Sequence, residues 1–166
     1  LAFDKTGTLT EGRPQVIDIH AIDDQHELLN CAARLESGSR HPLALGIAKE
    51  AERRQISFTP FDNVQQIPGK GLIASDEQIV GGSANFLKEQ GVLLPNIQED
   101  TTASAVHFSK NGRFLGTITL KDIARSEADA ALSLLRYRGY STLLLSGDLP
   151  GSVKRLSESL MIDKWL

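Results

Sequence analysis

The chain has 166 residues, 40% of them hydrophobic and 23% charged, with a net charge of −3 and a pI near 5.8. Such a composition supports a buried core in one domain or two small ones, and the acidic balance leaves no electrostatic footprint for nucleic acid. The single Cys31 excludes an internal disulfide, no Cys/His cluster suggests a zinc or copper site, and no apolar run approaches the roughly 18 residues of a membrane span.

In chain order, Leu1-Ala2-Phe3 reads as the end of a strand, followed directly by Asp4-Lys5-Thr6-Gly7-Thr8-Leu9-Thr10. Gly12-Arg13-Pro14 breaks the chain, and Val16-Ile17 with Ile19 reads as a strand. Leu28, Leu29, Ala32, Ala33 and Leu35 lie at helical spacing between about His26 and Glu36, with Gly38 suited to the stop. Cys31 falls in this run as a buried structural thiol. A second helix, led in by Ser39 or Arg40, takes Pro42 in its first turn and runs to near Gln55. From Val64 to Leu120 the period shortens to strands divided by turns. One hairpin is predicted around Ser75-Asp76-Glu77 and another around Asn111-Gly112. From Asp122 onward the chain is α/β again. Ser126 is predicted to cap a helix to Arg138, Ser141-Thr142-Leu143-Leu144-Leu145 is a buried strand, and a further helix covers roughly Ser152 to Leu160.

The chemistry gathers where strands end. In α/β sheets, ligands meet the C-terminal ends of strands, and backbone N–H groups of a Gly-containing turn can cradle phosphate oxygens. There Asp4 could act as a nucleophile toward a phosphoryl group, forming an acyl phosphate, while Lys5 offsets charge. Ser146-Gly147-Asp148 follows a second hydrophobic strand in the same way, so two parallel neighbours would bring the Ser146 hydroxyl beside Asp4 as a donor. Each string alone also reads as an ordinary turn.

The full Asp4–Thr10 string resembles the phosphorylation motif of P-type ATPases. Ser146-Gly147-Asp148 is similar to the Thr/Ser-Gly-Asp segment of those pumps and of the wider haloacid-dehalogenase superfamily. Asp122-Ile123-Ala124-Arg125 resembles the family's Asp-x-x-Arg hinge. The resemblance implies that Asp4 is the phosphoacceptor, that Lys5 contacts the phosphate, and that Asp4 and Thr6, the latter through its carbonyl, hold Mg²⁺. The family's catalytic Lys and its Gly-Asp-Gly-x-Asn-Asp loop would lie beyond Asp148 and outside this chain, so the fragment alone is expected to be incomplete for turnover.

Glu36, His41-Pro42-Leu43, Gly69-Lys70-Gly71 and Gly82-Ser83-Ala84-Asn85 form a second group. Pro42 turns the preceding imidazole off a helix entrance, where it could stack on a purine or serve only as a surface or capping residue. These segments resemble the nucleotide-binding domain of the heavy-metal subgroup of P-type ATPases. That likeness implies that Glu36 and His41 hold adenine and that Gly69, Gly71 and Gly82 line the pocket. Arg40 stands where Glu is common, and Ser83 stands where the subgroup usually has Asn. His20, His26 and His107 share no ligand spacing and read as structural or solvated.

The expected fold is therefore α/β. A partial haloacid-dehalogenase-like Rossmannoid phosphorylation domain (residues 1–12 and 120–166) carries an inserted α+β nucleotide-binding domain (13–119) built from an antiparallel sheet and two helices. The implied function is the ATP-binding and phosphorylation unit of a heavy-metal pump. Copper(I) is favoured as cargo, with zinc or cadmium second. The cofactors are ATP and Mg²⁺, and the location is the cytoplasmic face of an integral membrane protein. The partners are the transmembrane and actuator domains of the same pump, where the transported ion binds; no nucleic acid is expected. Two alternatives remain open: a stand-alone haloacid-dehalogenase phosphatase, whose usual second Asp is here Thr6, and a non-catalytic nucleotide-binding module.

Overall fold

The computed structural model describes residues 1–97, 100–148 and 150–166. These fall into two compact units, one of Leu1–Pro14, Asp100–Ser104 and Lys121–Leu166, the other of Gln15–Glu99 and Ala105–Leu120.

In the first unit, three short parallel strands form a sheet in the order β1 (Ala2–Asp4), β8 (Leu143–Leu145), β9 (Lys164–Trp165). The β1–β8 register pairs Asp4 with Leu145, so Ser146 leaves the sheet one residue beyond the partner of Asp4. Parallel neighbours need a crossover, usually a helix. Helix α5 (Pro150–Ser159) makes the one between β8 and β9, and α4 (Ala128–Tyr137) precedes β8. Leu9, Ala128, Leu132, Leu144, Val153, Leu160 and Ile162 form the core. The Asp163 carboxylate accepts the Thr142 N–H (2.7 Å) and hydroxyl (2.8 Å), fixing the start of β8 against the approach to β9.

The second unit is a six-stranded sheet in the order β2-β7-β6-β5-β4-β3. Its strands are β2 (Gln15–Ala21), β3 (Val64–Ile67), β4 (Gly71–Ala74), β5 (Ile79–Gly82), β6 (Ser104–Lys110) and β7 (Arg113–Lys121). Helices α1 (Gln25–Glu36) and α2 (Pro42–Arg53) cover one face. Leu28, Leu29, Leu35 and Ile47 pack there against Ile79, Phe108, Ile118 and Leu120, all essentially inaccessible. Each such side chain contributes about 2–3 kcal/mol on burial. The other face collects Val80, Phe86, Leu87, Val92 and Phe114. Cys31 is buried in α1, and burial pushes its thiol pKa up, as suits an inert structural thiol.

Both predicted hairpins form. Asn111 and Gly112 are left-handed (φ 52° and 73°), the conformation that a two-residue turn between twisted strands requires. The β4–β5 pair turns through Ser75–Glu77 with Gln78 left-handed. Three local readings need correction. The inserted module carries a third helix, α3 (Ala84–Glu89), where two were expected; at six residues it is too short to show a helical period. The N-cap of α4 is Glu127, with no side-chain cap bond, so Ser126 sits one residue too early to cap it. The N-cap of α2 is His41 itself, not Ser39 or Arg40.

Candidate functional site

The segment after β1 is a wide turn, Lys5–Leu9, closed by the Thr10 N–H on the Lys5 carbonyl (3.0 Å). Thr6 is extended within it and Gly7 is left-handed (φ 78°), which favours glycine. Asp4 begins the turn with an exposed carboxylate that caps nothing. Lys5 is buried, and its ammonium donates to the Asp148 carboxylate and to the Ser152 hydroxyl (2.9 Å). An ammonium has three N–H donors, so one remains for a ligand. The Ser146 hydroxyl accepts the Asp148 N–H (3.2 Å) and keeps its own proton to donate. Gly147, between them, has open space around its Cα. Asp4, Lys5, Ser146 and Asp148 are thus gathered at one end of the β1–β8 pair.

Asp122 and Arg125 brace this turn. The Asp122 carboxylate accepts the Thr10 hydroxyl and the Arg13 N–H (3.3 Å). The Arg125 guanidinium donates to the carbonyls of Gly7 (3.0 Å) and Thr8 (3.1 Å), and its N–H to that of Leu9 (2.9 Å). An isolated antiparallel bridge joins Thr10 to Ala124. Sequence reading offered this segment only as a hinge; its clamp on the motif spans more than a hundred residues and leaves no local signal. With the Lys5, Gly7, Thr8 and Leu9 carbonyls taken by protein donors, the Thr6 carbonyl receives none of these bonds. With the Asp4 carboxylate it makes a pair of hard oxygen donors.

A separate pocket of about 300 Å³ lies wholly within the second unit. Its walls are the end of α1 (Glu36), the start of α2 (Ser39, His41, Leu43), the β3–β4 turn (Gly69, Lys70, Gly71) and the end of β5 (Gly82, Ser83). His41 Nδ1 accepts the Leu43 N–H (3.2 Å), capping α2. That bond places the ring proton on Nε2, leaving a donor and a ring face for a ligand. In the β3–β4 turn the Lys70 N–H bonds the Ile67 carbonyl (3.0 Å), with Pro68 and left-handed Gly69 (φ 72°) in the central positions of a type II turn.

Gly71 and Gly82 face each other in the β4–β5 ladder. A Cβ on Gly71 would come within 2.1 Å of the Gly81 carbonyl oxygen, and one on Gly82 within 2.4 Å of that of Lys70. These glycines let two backbones close together and so shape the pocket wall. Ser83 accepts the Phe86 N–H (3.2 Å) and caps α3.

Burial pushes the Glu36 carboxyl up to about 7. A neutral carboxyl offers one O–H donor and one carbonyl acceptor, a pattern that complements the amino group and ring nitrogen of adenine. The shift also couples to stability. An unfolded Glu ionises near its ordinary 4.5, whereas the native one keeps its proton to about 7, so its contribution is full below 4.5 and lost as pH rises through 7. The shift is worth about 3 kcal/mol, reduced to about 1–2 by water at the open side of the pocket. Between pH 5 and pH 8 the unfolding free energy is expected to fall by that amount relative to Glu36→Gln in denaturant titrations. Parallel curves for the two proteins would refute the raised carboxyl pKa.

Among the described residues no group of three or more His, Cys, Asp or Glu could hold a metal ion, and no helix is long and apolar enough to cross a membrane. His107 is buried, its Nδ1 2.8 Å from the Thr117 hydroxyl; His20 and His26 are exposed.

The family model for haloacid dehalogenase-like hydrolases matches residues 1–166. The chain belongs to that family. The chain is 37% identical over 169 residues to copper-exporting P-type ATPase B of Archaeoglobus fulgidus, a match covering 98% of the chain and 24% of the relative. It is 33% identical to the manganese-exporting P-type ATPase of Mycobacterium leprae (99% and 25% covered) and 31% identical to the zinc/cadmium/lead-transporting P-type ATPase of Escherichia coli (98% and 23%). Among solved structures, the chain superposes on a zinc-transporting PIB-type ATPase with a TM-score of 0.78 at 31% identity, covering 98% of this chain and 28% of that one. The catalytic domain of the CPx-ATPase CopB-B gives 0.75 at 26% identity, with 99% and 60% covered. The chain spans about a quarter of the length of the curated relatives it matches. Its relatives are heavy-metal P-type ATPases, and the expected fold class stands.

Proposed function

We propose that this chain is the ATP-binding and phosphorylation unit of a heavy-metal P-type ATPase. The observation that carries the reading is the β1–β8 register, which sets Asp4 and Ser146 at the same end of adjacent parallel strands with Lys5 between Asp148 and Ser152. ATP binds in the Glu36/His41 pocket. An Asp4 carboxylate oxygen attacks the γ-phosphorus, the bond to the ADP oxygen breaks, and ADP leaves with the electron pair. Lys5 and the Ser146 hydroxyl meet the charge on the transferred group. Mg²⁺, held by the Asp4 carboxylate and the Thr6 carbonyl, would supply further charge neutralisation, in keeping with its preference for hard oxygens.

Water later cleaves the acyl phosphate. With Thr6 where a second Asp would serve as general acid, a long-lived phosphoenzyme is favoured over a stand-alone phosphatase. The phosphoenzyme would drive a membrane domain of the same protein, placing this unit on the cytoplasmic side. Copper(I) is the proposed cargo, supported by the 37% identity to a copper exporter. Zinc is the second reading, supported by the 0.78 superposition on a zinc-transporting pump.

Calorimetric titration of ATP against His41→Asn tests the pocket. Asn is among the best N-caps, so α2 stays capped while the imidazole is lost. ATP affinity is expected to drop about tenfold, or 1.4 kcal/mol. Equal affinities would sink the assignment of His41 to adenine.

A further inference from the structure

We propose that Lys70 is the cation that receives the nucleotide's phosphate chain, and that Glu89 holds it in reserve while the pocket is empty. The inference rests on the nucleotide reading of the Glu36/His41 pocket and adds a residue to which that reading gives no role.

Lys70 lines the same pocket as Glu36 and His41, and it is the one lysine or arginine among the described residues that do so. Nucleoside polyphosphates carry several negative charges, so a pocket that takes one needs a cation on its phosphate side. The backbone of Lys70 has no spare group to offer. Its N–H is bonded to Ile67 (3.0 Å), and its carbonyl accepts the Ser83 N–H (3.2 Å) and is packed tightly against Gly82. Pro68 and left-handed Gly69 fix the turn that presents it. The residue is therefore a rigid post whose free part is its side chain.

That side chain points to α3, where its ammonium bonds the Glu89 carboxylate at 2.6 Å. Both partners are about half exposed (47% and 50%), and ion pairs of that kind contribute little because water and salt screen them. A polyphosphate, with more charge than one carboxylate, can take Lys70 from Glu89 at small cost. The two other titratable groups of the pocket do not compete strongly. The half-buried Glu36, with its pKa raised to about 7, carries only part of its charge at neutral pH, and the His41 Nδ1 lone pair is occupied by the Leu43 N–H.

Lys70 would thus be a specificity-determining residue that reads the number of phosphates, not the base. Titrations of the protein with adenosine and with ATP, followed by NMR shifts, separate the two. In Lys70→Met, ATP binding is expected to weaken about five- to tenfold while adenosine binding stays within about twofold, as befits one lost charge-assisted contact. Glu89→Gln releases the lysine and removes a repelling carboxylate, so ATP should bind about two- to threefold tighter with adenosine unchanged. In roughly 0.5 M salt the ATP differences should shrink. An ATP affinity unaltered in Lys70→Met, or equal losses for ATP and adenosine, would overturn the proposal. Wild-type protein that bound neither ligand would instead overturn the pocket assignment itself, and this inference with it.

Discussion

Replacing Lys5 by methionine is expected to cut phosphoenzyme formation in the full-length protein about 10²- to 10³-fold while leaving ATP affinity within about twofold, the scale for losing one preorganised charge partner. The two effects separate because Lys5 lies in the first unit and the Glu36/His41 pocket in the second. Fold stability should change little. Methionine fills similar space, and the Asp148 carboxylate left behind is 44% exposed, so water solvates it. Truncating a fully buried pair costs far more, because the surviving charge is stranded; here the cost is about 1–2 kcal/mol. Trapping the radiolabelled phosphoenzyme in acid, beside a denaturant titration, measures both quantities. Retained phosphorylation in Lys5→Met would mean that the lysine only anchors Asp148 and Ser152, with no hold on phosphate.

The strand ends were legible because the pattern is local. A hydrophobic stub that stops at a carboxylate, and another that stops at Ser146, each announce a strand meeting solvent at its C-terminus. Their side-by-side parallel pairing follows once both belong to one α/β sheet. Helices α1 and α2 were legible for the same reason, with Leu28, Leu29, Leu35 and Ile47 at helical spacing and in the core. What escaped is either very short or long-range. Helix α3 has six residues and β9 two, lengths at which periodicity says nothing.

The contacts of Lys5 with Asp148 and of Arg125 with the Gly7 and Thr8 carbonyls join residues far apart in the chain. Only the folded chain shows that the Asp-x-x-Arg segment clamps the motif turn. Glu36 stands out in the sequence only by its place five residues before His41 and by the likeness to the heavy-metal subgroup. Its raised pKa comes from desolvation in a pocket assembled from several separate segments, which no single one encodes. His41 was read both as a capping residue and as a ligand contact. The Nδ1 bond to Leu43 shows the cap, and the same bond leaves Nε2–H to the pocket.

The glycines carry a lesson of their own. The likeness to the heavy-metal subgroup gives Gly69, Gly71 and Gly82 as lining the pocket. Two of them are required by the close approach of β4 to β5. A glycine pair that lets strands close and a glycine pair that admits a nucleotide look alike in sequence, and here one wall does the first while bounding the space for the second.

Everything proposed for the first unit converges on one carboxylate, exposed at the end of β1 with its brace and its charge partner already in place. The most direct measurement incubates the full-length protein with γ-labelled ATP and Mg²⁺, quenches in acid, and maps the label. The expected result is an acid-stable, hydroxylamine-labile label on the peptide containing Asp4, absent in Asp4→Asn although that variant still binds ATP. A label that persists in Asp4→Asn would contradict the assignment of Asp4 as the phosphoacceptor.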